Sequence, residues 1–535
     1  MSDDRSPPGR TVIAALSRPE RPTPTDVRVR PQGALDAAID VLAALRRERV
    51  RYCHWKSVWG IERSLAGDAD LDLLIDRRQC RHAQEVFARG GFKRFMATEA
   101  TGYAAVEDYV GLDAEAGKLV HCHVHYRLIL GEPNLKSYRL PWEKLLLDTR
   151  RLDAATNVFV AESNLEMVLL FVRFSAKLRW REIVAHRFGR DWVSLMVPEY
   201  QWIRDRVDPD KCVALCRDLL GEPAAVTLRE LLDGPITLEK VLRFKSRAGR
   251  RLQLFRRYGV WARWLLKWRR ELASVRGAIG QRMLSARRPQ RRSVPTGGLL
   301  IAFLGADGSG KSTIAHDIAT VLAGKLDVLL LYFGSGSGPS SWLRWPLNAL
   351  RAGAARLGLL PTGQGLPGGP DGRGNGGRQA RRRGPLLTFA LIVWALVLAR
   401  EKRRKLLDAW KARDAGIIVL SDRYPQSQIS GFNDGPLLNE FLHHRNWLLR
   451  WIARHESKPY RWAEEFPPDL VIKLNVSPET ALQRKHDMKL RDIVRRIKAV
   501  RDLSYPFPVS VAEVDANRPL LTVRADVGRI VWDNI

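Results

Sequence analysis

The segment from Leu299 to Thr313 constrains this 535-residue chain more than any other. An apolar run that reads as a buried strand leads directly into Gly305-Ala306-Asp307-Gly308-Ser309-Gly310-Lys311-Ser312-Thr313. Apolar residues return afterwards at helical spacing, at Ile314, Ile318 and Leu322. This order of strand, glycine-rich loop and helix is the context that a phosphate-binding loop requires.

The residue types in this loop suit the phosphates of a nucleotide. Glycines allow backbone N–H groups to converge on phosphate oxygens, Lys311 supplies a positive charge, and the Ser312 hydroxyl can bind Mg²⁺. The sequence therefore predicts binding of ATP and Mg²⁺. The predicted nucleotide-binding residues are Gly305, Asp307, Gly308, Ser309, Gly310, Lys311, Ser312 and Thr313.

Changes in composition divide the chain into several parts, as its length also requires at about 150 residues per domain. Eight glycines between residues 363 and 377 indicate a flexible insertion. The prediction is an α/β protein in which a C-terminal parallel sheet, with helices on both faces, follows a smaller α/β module and a helical region. The boundaries are a disordered tail at 1–33, the α/β module at 34–150, the helical region at 151–285, a linker at 286–298, and the C-terminal domain at 299–535 with the insertion at 353–384.

The net charge of +31 is concentrated between residues 240 and 292, where eighteen lysines and arginines accompany one acid, Glu271. Leu254, Tyr258, Trp261, Leu265 and Trp268 fall on one face of a predicted helix there. Peripheral contact with an anionic membrane or with nucleic acid is one interpretation. The alternative is a helix that docks by its aromatic face and exposes a basic back to solvent.

No segment is predicted to cross a membrane. The uncharged run Pro385–Ala399 is shorter than the roughly 20 apolar residues of a spanning helix, and it continues in helical phase through Leu406 and Trp410. It therefore predicts a long core helix. The five cysteines form no CxxC pair and the N-terminus lacks the apolar region of a secretory signal, so a cytoplasmic location is expected.

The C-terminal part, from about Gly297 to Ile535, resembles thymidylate kinases. The resemblance rests on the loop, on Ser421-Asp422-Arg423-Tyr424 at a predicted strand end, on Pro468 to Glu479, and on Val514-Asp515-Ala516-Asn517. It implies that Asp422 lies near the metal and Arg423 near the transferred phosphate. It also implies that Asp307 contacts a sugar hydroxyl of the acceptor and that a basic lid follows Pro478. The lid candidates are Arg484 first, then Lys485, Lys489 and Arg491.

Two departures from that family concern the acceptor. The family's Arg-Glu-Pro-Gly segment is replaced by Tyr332-Phe333-Gly334-Ser335-Gly336-Ser337-Gly338, and its Ser-x-x-Ala-Tyr-Gln by Ser427-Gln428-Ile429-Ser430-Gly431-Phe432. Phosphoryl transfer from ATP, with Lys311, Asp422, Arg423 and Arg484 as catalytic residues, is therefore predicted more firmly than thymidylate as the acceptor.

The N-terminal module resembles minimal nucleotidyltransferases in His54-Trp55-Lys56-Ser57 and Asp70-Leu71-Asp72. Asp70 and Asp72 alternate on a strand, so both can face one Mg²⁺. His123-Val124-His125-Tyr126 stands where the family has a third carboxylate, which predicts an inactive or altered transferase. His121, His123 and His125 then form either a transition-metal site or a polar cleft without metal.

Three hypotheses for the whole chain remain at this point. The first is an ATP-dependent kinase acting on a nucleoside monophosphate or another sugar-bearing acceptor. The second is a nucleotidyltransferase whose phosphate-binding loop only senses ATP. The third is a non-catalytic, basic scaffold that binds ATP.

Overall fold

The computed structural model describes residues 31–178, 183, 184, 186, 188, 192–283, 289–334, 385–429, 435–486 and 488–535. The chain forms two compact units, Met1–Ala278 and Ile279–Ile535. The predicted glycine-rich insertion at 353–384 and nearly all of the predicted tail at 1–33 lie outside the described residues. Within the described residues, no helix combines the length and apolarity needed to cross a membrane.

The N-terminal unit is built on a seven-stranded mixed sheet and a separate two-stranded sheet. Its strands are β1 (Tyr52–His54), β2 (Leu71–Ile75), β3 (Lys93–Phe95), β4 (Val106–Asp113), β5 (Lys118–His125), β6 (Leu128–Leu130), β7 (Tyr138–Leu140), β8 (Arg151–Asp153) and β9 (Val158–Val160). The order is β3-β4-β5-β2-β1-β9-β8, and β6 pairs with β7. Strands β2 and β5 are parallel and align Asp72 with His123, which places the candidate residues of both strands side by side.

Helices cover this sheet and continue into a helical region. They are α1 (Asp36–Arg47), α2 (Ile61–Leu65), α3 (Cys80–Arg89), α4 (Glu143–Thr149), α5 (Ser163–Lys177), α6 (Val197–Arg204), α7 (Pro209–Leu220), α8 (Glu222–Leu232), α9 (Leu238–Leu252) and α10 (Val260–Met283). From Leu165 to Val172 helix α5 is apolar at every position except Glu166, and all of these residues are buried. Its core cluster includes Trp55 and Leu74 from the sheet. Because β8 and β9 also belong to that sheet, the sheet extends past the predicted boundary at 150.

The basic segment adopts an arrangement opposite to the docked-helix interpretation. The chain leaves the helical conformation between α9 and α10, so Leu254 is not on the same helix as Trp261. Trp261 is 85% exposed, whereas Arg263 lies 2.8 Å from Glu132 and Arg270 donates to the Asn134 carbonyl. The aromatic face is therefore exposed and part of the basic face packs against the unit. Tertiary ion pairs decide this orientation, which helical spacing alone cannot specify.

The C-terminal unit contains a five-stranded sheet in which every strand is parallel to its neighbours. Its strands are β10 (Leu300–Gly305), β11 (Val328–Tyr332), β12 (Ile418–Asp422), β13 (Leu470–Asn475) and β14 (Ser510–Asp515), in the order β11-β12-β10-β13-β14. The central strands β10 and β12 are buried throughout, as continuous apolar runs in a covered parallel sheet should be. The predicted α/β fold class is confirmed.

Helices on the faces of this sheet complete the unit. They are α11 (Lys311–Ala323), α12 (Pro385–Asp414), α13 (Trp447–Glu465), α14 (Pro478–Arg484), α15 (Leu490–Asp502) and α16 (Leu520–Asn534). Helix α12 confirms the predicted long helix, and it buries Leu391, Leu398 and Leu406. Asp469, just before β13, accepts a hydrogen bond from the Leu300 amide and pairs with Arg413 of α12. This carboxylate joins two neighbouring strands and a covering helix below the loop.

Candidate active site

The phosphate-binding loop runs from the end of β10 to the start of α11. Gly310 caps the helix with φ +81°, and Gly308 has φ +85°. A Cβ on Gly308 would lie 2.7 Å from the carbonyl oxygen of Ala481, so both sterics and φ require glycine there. The N-terminal end of α11 and its positive dipole therefore lie at the loop, which is a general anion-binding arrangement.

Asp422 is brought to the loop by strand pairing. It ends β12, which pairs in parallel with β10 so that Asp422 aligns with Phe303. The Ser312 hydroxyl donates a hydrogen bond of 2.5 Å to its Oδ2. Its Oδ1 is buried and has no hydrogen-bond partner among the described residues. A hydroxyl beside a carboxylate with a spare oxygen suits Mg²⁺, which prefers few protein oxygens, water and phosphates as ligands.

Three cations surround Asp307 inside the loop. Its Oδ1 lies 3.3 Å from Lys311 Nζ and 3.0 Å from Arg423 Nη2, and its Oδ2 pairs with Arg496. Arg423 has φ +70°, a left-handed conformation that costs about 1 kcal/mol or more for a residue with a side chain. The carboxylate therefore holds two guanidinium groups next to the phosphate-binding loop.

Arg496 is a site residue that the sequence reasoning missed. It is a buried residue of α15. It lies three positions after the buried Ile493 and four before the buried Val500, and this spacing places it on the same face of the helix. Burial lowers the pKa of its guanidinium from the ordinary value. An arginine in phase with the apolar face of an amphipathic helix was the available signal, because such a cation requires an anionic partner in the core.

Of the remaining residues that the sequence predicted for this site, some contact the loop and others are exposed. Arg484 ends α14 and donates to the carbonyls of Ala516 at 2.9 Å and Gly308 at 3.4 Å, so its guanidinium contacts the loop backbone. Lys485, Lys489 and Arg491 are exposed, as is Thr313. Ser309 is buried, with a hydroxyl that has no partner in the part of the chain that the structure describes. A Cβ on Gly305 would lie 2.3 Å from that hydroxyl, so glycine is required there as well.

In the N-terminal unit, Asp72 is already neutralised by neighbouring side chains. Its Oδ1 lies 2.7 Å from Lys56 Nζ and 3.0 Å from His123 Nδ1. Burial alone would raise the pKa of Asp72, but Lys56 and hydrogen bonds from His123 and His125 hold it well below the usual value. Burial also lowers the pKa of His125 to about 3, so this imidazole is neutral.

Asp70 has a different partner, although it alternates with Asp72. Its Oδ1 lies 2.8 Å from His121 Nδ1, and the other ring nitrogen of His121 is 2.7 Å from Asp108. Among the described residues, Asp72, His123 and His125 lie close enough together to bind one metal ion. Asp70 is not part of this cluster. The two aspartates are thus part of separate side-chain networks, unlike the paired Mg²⁺ ligands that strand alternation predicted.

The parallel sheet, the glycine-rich loop and the Ser312–Asp422 pair give the C-terminal unit an α/β fold with a candidate nucleotide site at the carboxyl ends of its strands. No family model matches the chain. The chain is 29% identical over 230 residues to "Uncharacterized ATP-binding protein YghS" of Escherichia coli strain K12, covering 41% of this chain and 86% of the relative. It is 27% identical over 248 residues to "Uncharacterized ATP-binding protein YghR" of the same strain, covering 45% of this chain and 88% of that relative.

Proposed function

We propose that this protein is an ATP- and Mg²⁺-dependent kinase whose catalytic centre is the loop of the C-terminal unit. The observation that carries the proposal is the contact between Ser312 and Asp422, with a buried spare oxygen on the carboxylate. A purely structural strand end gains nothing from an unpaired buried oxygen, whereas a metal site requires one. Two relatives named as ATP-binding proteins support the choice of nucleotide.

In this proposal each charged group has a separate role in phosphoryl transfer. Lys311 and the amides at the start of α11 bind the β- and γ-phosphates. Ser312 and Asp422 would hold Mg²⁺, which would supply positive charge next to those phosphates. Arg423 stabilises the charge that spreads over the equatorial oxygens of the transferred group. Asp307 acts as a positioning residue because its carboxylate fixes Arg423 and Arg496.

We propose an acceptor other than thymidylate. An acceptor monophosphate carries nearly two negative charges and requires cationic partners. Tyr332 to Gly334 supply no cation, and Lys405, which donates to the Tyr332 carbonyl at 2.6 Å, is paired with Glu401. Residues 335–338 and 430–432 lie outside the described residues. A kcat/KM for thymidylate below about 10⁴ M⁻¹s⁻¹ is expected, and a value in the ordinary enzyme range above it would contradict this proposal.

The kinase proposal is tested by ADP formation from ATP and Mg²⁺ with nucleoside monophosphates, sugars and sugar phosphates as acceptors. Lys311→Ala should lower turnover of the best acceptor by about 10²-fold or more, because the lost charge acts on the migrating phosphoryl group. Lys498→Ala, at an exposed position on α15, is the matched control. Unchanged turnover in a folded Lys311→Ala variant would overturn the proposal and favour a nucleotide-sensing loop or a scaffold.

We also propose that α10 lies on an anionic membrane surface. Its exposed apolar residues follow helical spacing and include Trp261, Trp264 and Trp268, the residue type that favours the lipid interface. Exposed arginines in the same segment, such as Arg250, Arg251 and Arg256, supply the charge that anionic lipid attracts. Nucleic acid is the weaker candidate, because phosphate backbones require cations on the exposed face, and here that face is aromatic.

A further inference from the structure

A cavity of about 150 Å³ in the N-terminal unit is lined by four cationic side chains and one carboxylate, Asp72. Lys56 follows β1, Lys136 lies in the loop between β6 and β7, and Arg173 and Lys177 lie one turn apart on α5. Three of these four cations are outside the segments that resemble nucleotidyltransferases. The cavity is therefore a product of the tertiary arrangement of the sheet, a loop and a helix.

Two of the four cations are balanced by carboxylates. Lys56 pairs with Asp72 at 2.7 Å, and Arg173 Nη2 lies 2.5 Å from Glu199. Arg173 also donates to the Ser57 hydroxyl at 3.4 Å, and its buried Nε has no partner among the described residues. Lys56 and Arg173 therefore line the cavity as cations that already have a carboxylate partner.

Lys136 and Lys177 have no carboxylate partner in the part of the chain that the structure describes. Lys177 lies 5.8 Å from the Phe174 ring, a weak contact for a full charge. Burial is the main cause that lowers the pKa of both lysines to about 8. Lys56 and Arg173 act in the same direction on both, Lys177 also lowers the pKa of Lys136, and Asp72 partly opposes the shift of both. Lys136 also has φ +51°, a strained backbone conformation for lysine. Holding these cations close together therefore lowers the stability of the folded unit.

The buried side chains around the cavity add a neutral donor. Trp55 lines the cavity, and its indole N–H is buried without a hydrogen-bond partner within the described residues. A buried donor without a partner destabilises the fold, and it is retained where a ligand or water satisfies it. Cations that repel one another and a donor without a partner surround the same cavity. A compact anion with several acceptor oxygens would satisfy both.

We propose that this cavity binds the phosphoryl group of a small phosphorylated molecule, with Lys136, Lys177 and Arg173 as its principal ligands and without a metal ion. A phosphate dianion offers enough acceptor oxygens for two ammonium groups, a guanidinium and an indole N–H. Lys56 lies 2.7 Å from Asp72 Oδ1, and this positive charge disfavours a divalent cation at Asp72, His123 and His125. Phosphate binding at this site is independent of the kinase proposal.

The test is calorimetric titration of the full-length chain with inorganic phosphate in the presence of EDTA. Lys311→Ala removes the charge of the other phosphate site and should retain saturable 1:1 binding. Lys136→Met combined with Lys177→Met should weaken that binding by at least tenfold, and a thermal melt checks that this variant folds. Lys144→Met, at a side chain that is 82% exposed in the same unit, is the matched control and should bind phosphate as the parent does.

Four outcomes would overturn the proposal. They are no saturable binding in the Lys311→Ala background, undiminished binding in the double lysine variant, equal loss in the Lys144→Met control, and binding that appears only when Zn²⁺ or Mn²⁺ replaces EDTA. Displacement of bound phosphate by adenosine 5′-monophosphate or by a hexose phosphate distinguishes a nucleotide from a sugar phosphate as the source of the phosphoryl group. Displacement by either compound supports the site.

Discussion

Asp422 and Asp72 are aspartates on central strands of the two large sheets, and their neighbours give the two carboxylates opposite capacities. Asp422 accepts a hydrogen bond from a neutral hydroxyl and keeps one buried oxygen without a partner. Asp72 is contacted by an ammonium and by an imidazole, with a second imidazole close by. The first carboxylate is suited to a cation, whereas the second serves as a counter-ion for cations. The carboxylate itself therefore does not identify a metal site; the charge of its neighbours does.

The same contrast applies to the lysines of the two sites. Lys311 lies between the helix N-terminus and Asp307, so it has an anionic partner in the protein. Lys136 and Lys177 repel other cations across a cavity and form no ion pair with a carboxylate among the described residues, so Asp72 compensates them only in part. At the first site the lysine is paired within the protein, while at the second site the two lysines leave positive charge for a ligand. Both arrangements suit phosphate, but only the first also suits a metal.

The strongest test of this comparison replaces each of the two aspartates with asparagine in a separate variant. Asp422→Asn should lower kcat for phosphoryl transfer by about 10²-fold or more, since a positioned negative group near Mg²⁺ is lost. Asp72→Asn should change the same kcat by less than about twofold. If Asp72→Asn abolished turnover and Asp422→Asn did not, the N-terminal unit would be the catalytic centre and the nucleotidyltransferase hypothesis would be favoured.

A second test concerns the exposed aromatic face of α10. This face is not part of the candidate active site in the C-terminal unit. Trp261→Gln combined with Trp268→Gln should weaken binding to vesicles with about 30% anionic lipid by tenfold or more, because each indole loses its interfacial contact. Sedimentation with vesicles measures this. Trp59→Gln changes an exposed tryptophan elsewhere in the same unit and serves as the control. Equal binding by parent and double variant would exclude this face as the lipid contact.

A third test uses the lowered pKa values of the cavity lysines. Lys136 and Lys177, which face Lys56, Arg173 and Asp72, have pKa values of about 8, so they lose charge as the pH rises through that value. Phosphate affinity should therefore fall by about tenfold between pH 7.5 and 9.5 in calorimetric titrations. A double Lys→Arg variant should bind with little pH dependence, because arginine stays protonated. A parent protein with a flat profile would show that these lysines are not ligands.

The smallest expected effect is on stability. The pKa of Lys177 is lower in the folded chain than in the unfolded chain, so its charged form opposes folding below about pH 8. Lys177→Met should raise Tm by a few degrees at pH 7, and the gain should shrink as the pH rises from 8 toward the unfolded value near 10.5. Thermal melts across this range measure the effect, with Lys144→Met as the exposed control. A Tm that falls at pH 7 would contradict the uncompensated charge.

Much of the C-terminal fold follows from local sequence. The apolar run before Gly305 and the predicted strand end at Ser421-Asp422 correspond to the buried parallel strands β10 and β12. The glycines of the loop encode positive φ values that other residues rarely adopt. Because the carboxyl ends of neighbouring parallel strands meet at one edge, the proximity of Asp422 to the loop could also be anticipated.

The charge partners were not predictable in the same way. Arg496 reaches Asp307 from 189 positions along the chain, and Lys136 meets Lys177 through a loop and a helix that packing brings together. The outward orientation of Trp261 likewise depends on Glu132 and on the loop carbonyls that bind the opposite face of α10. Sequence by itself determined the strands, the loop and its phosphate-binding chemistry, because these depend on φ preferences and local burial. Tertiary structure alone decided which charges are compensated, because Coulomb interactions depend on distances in space and on burial rather than on separation along the chain.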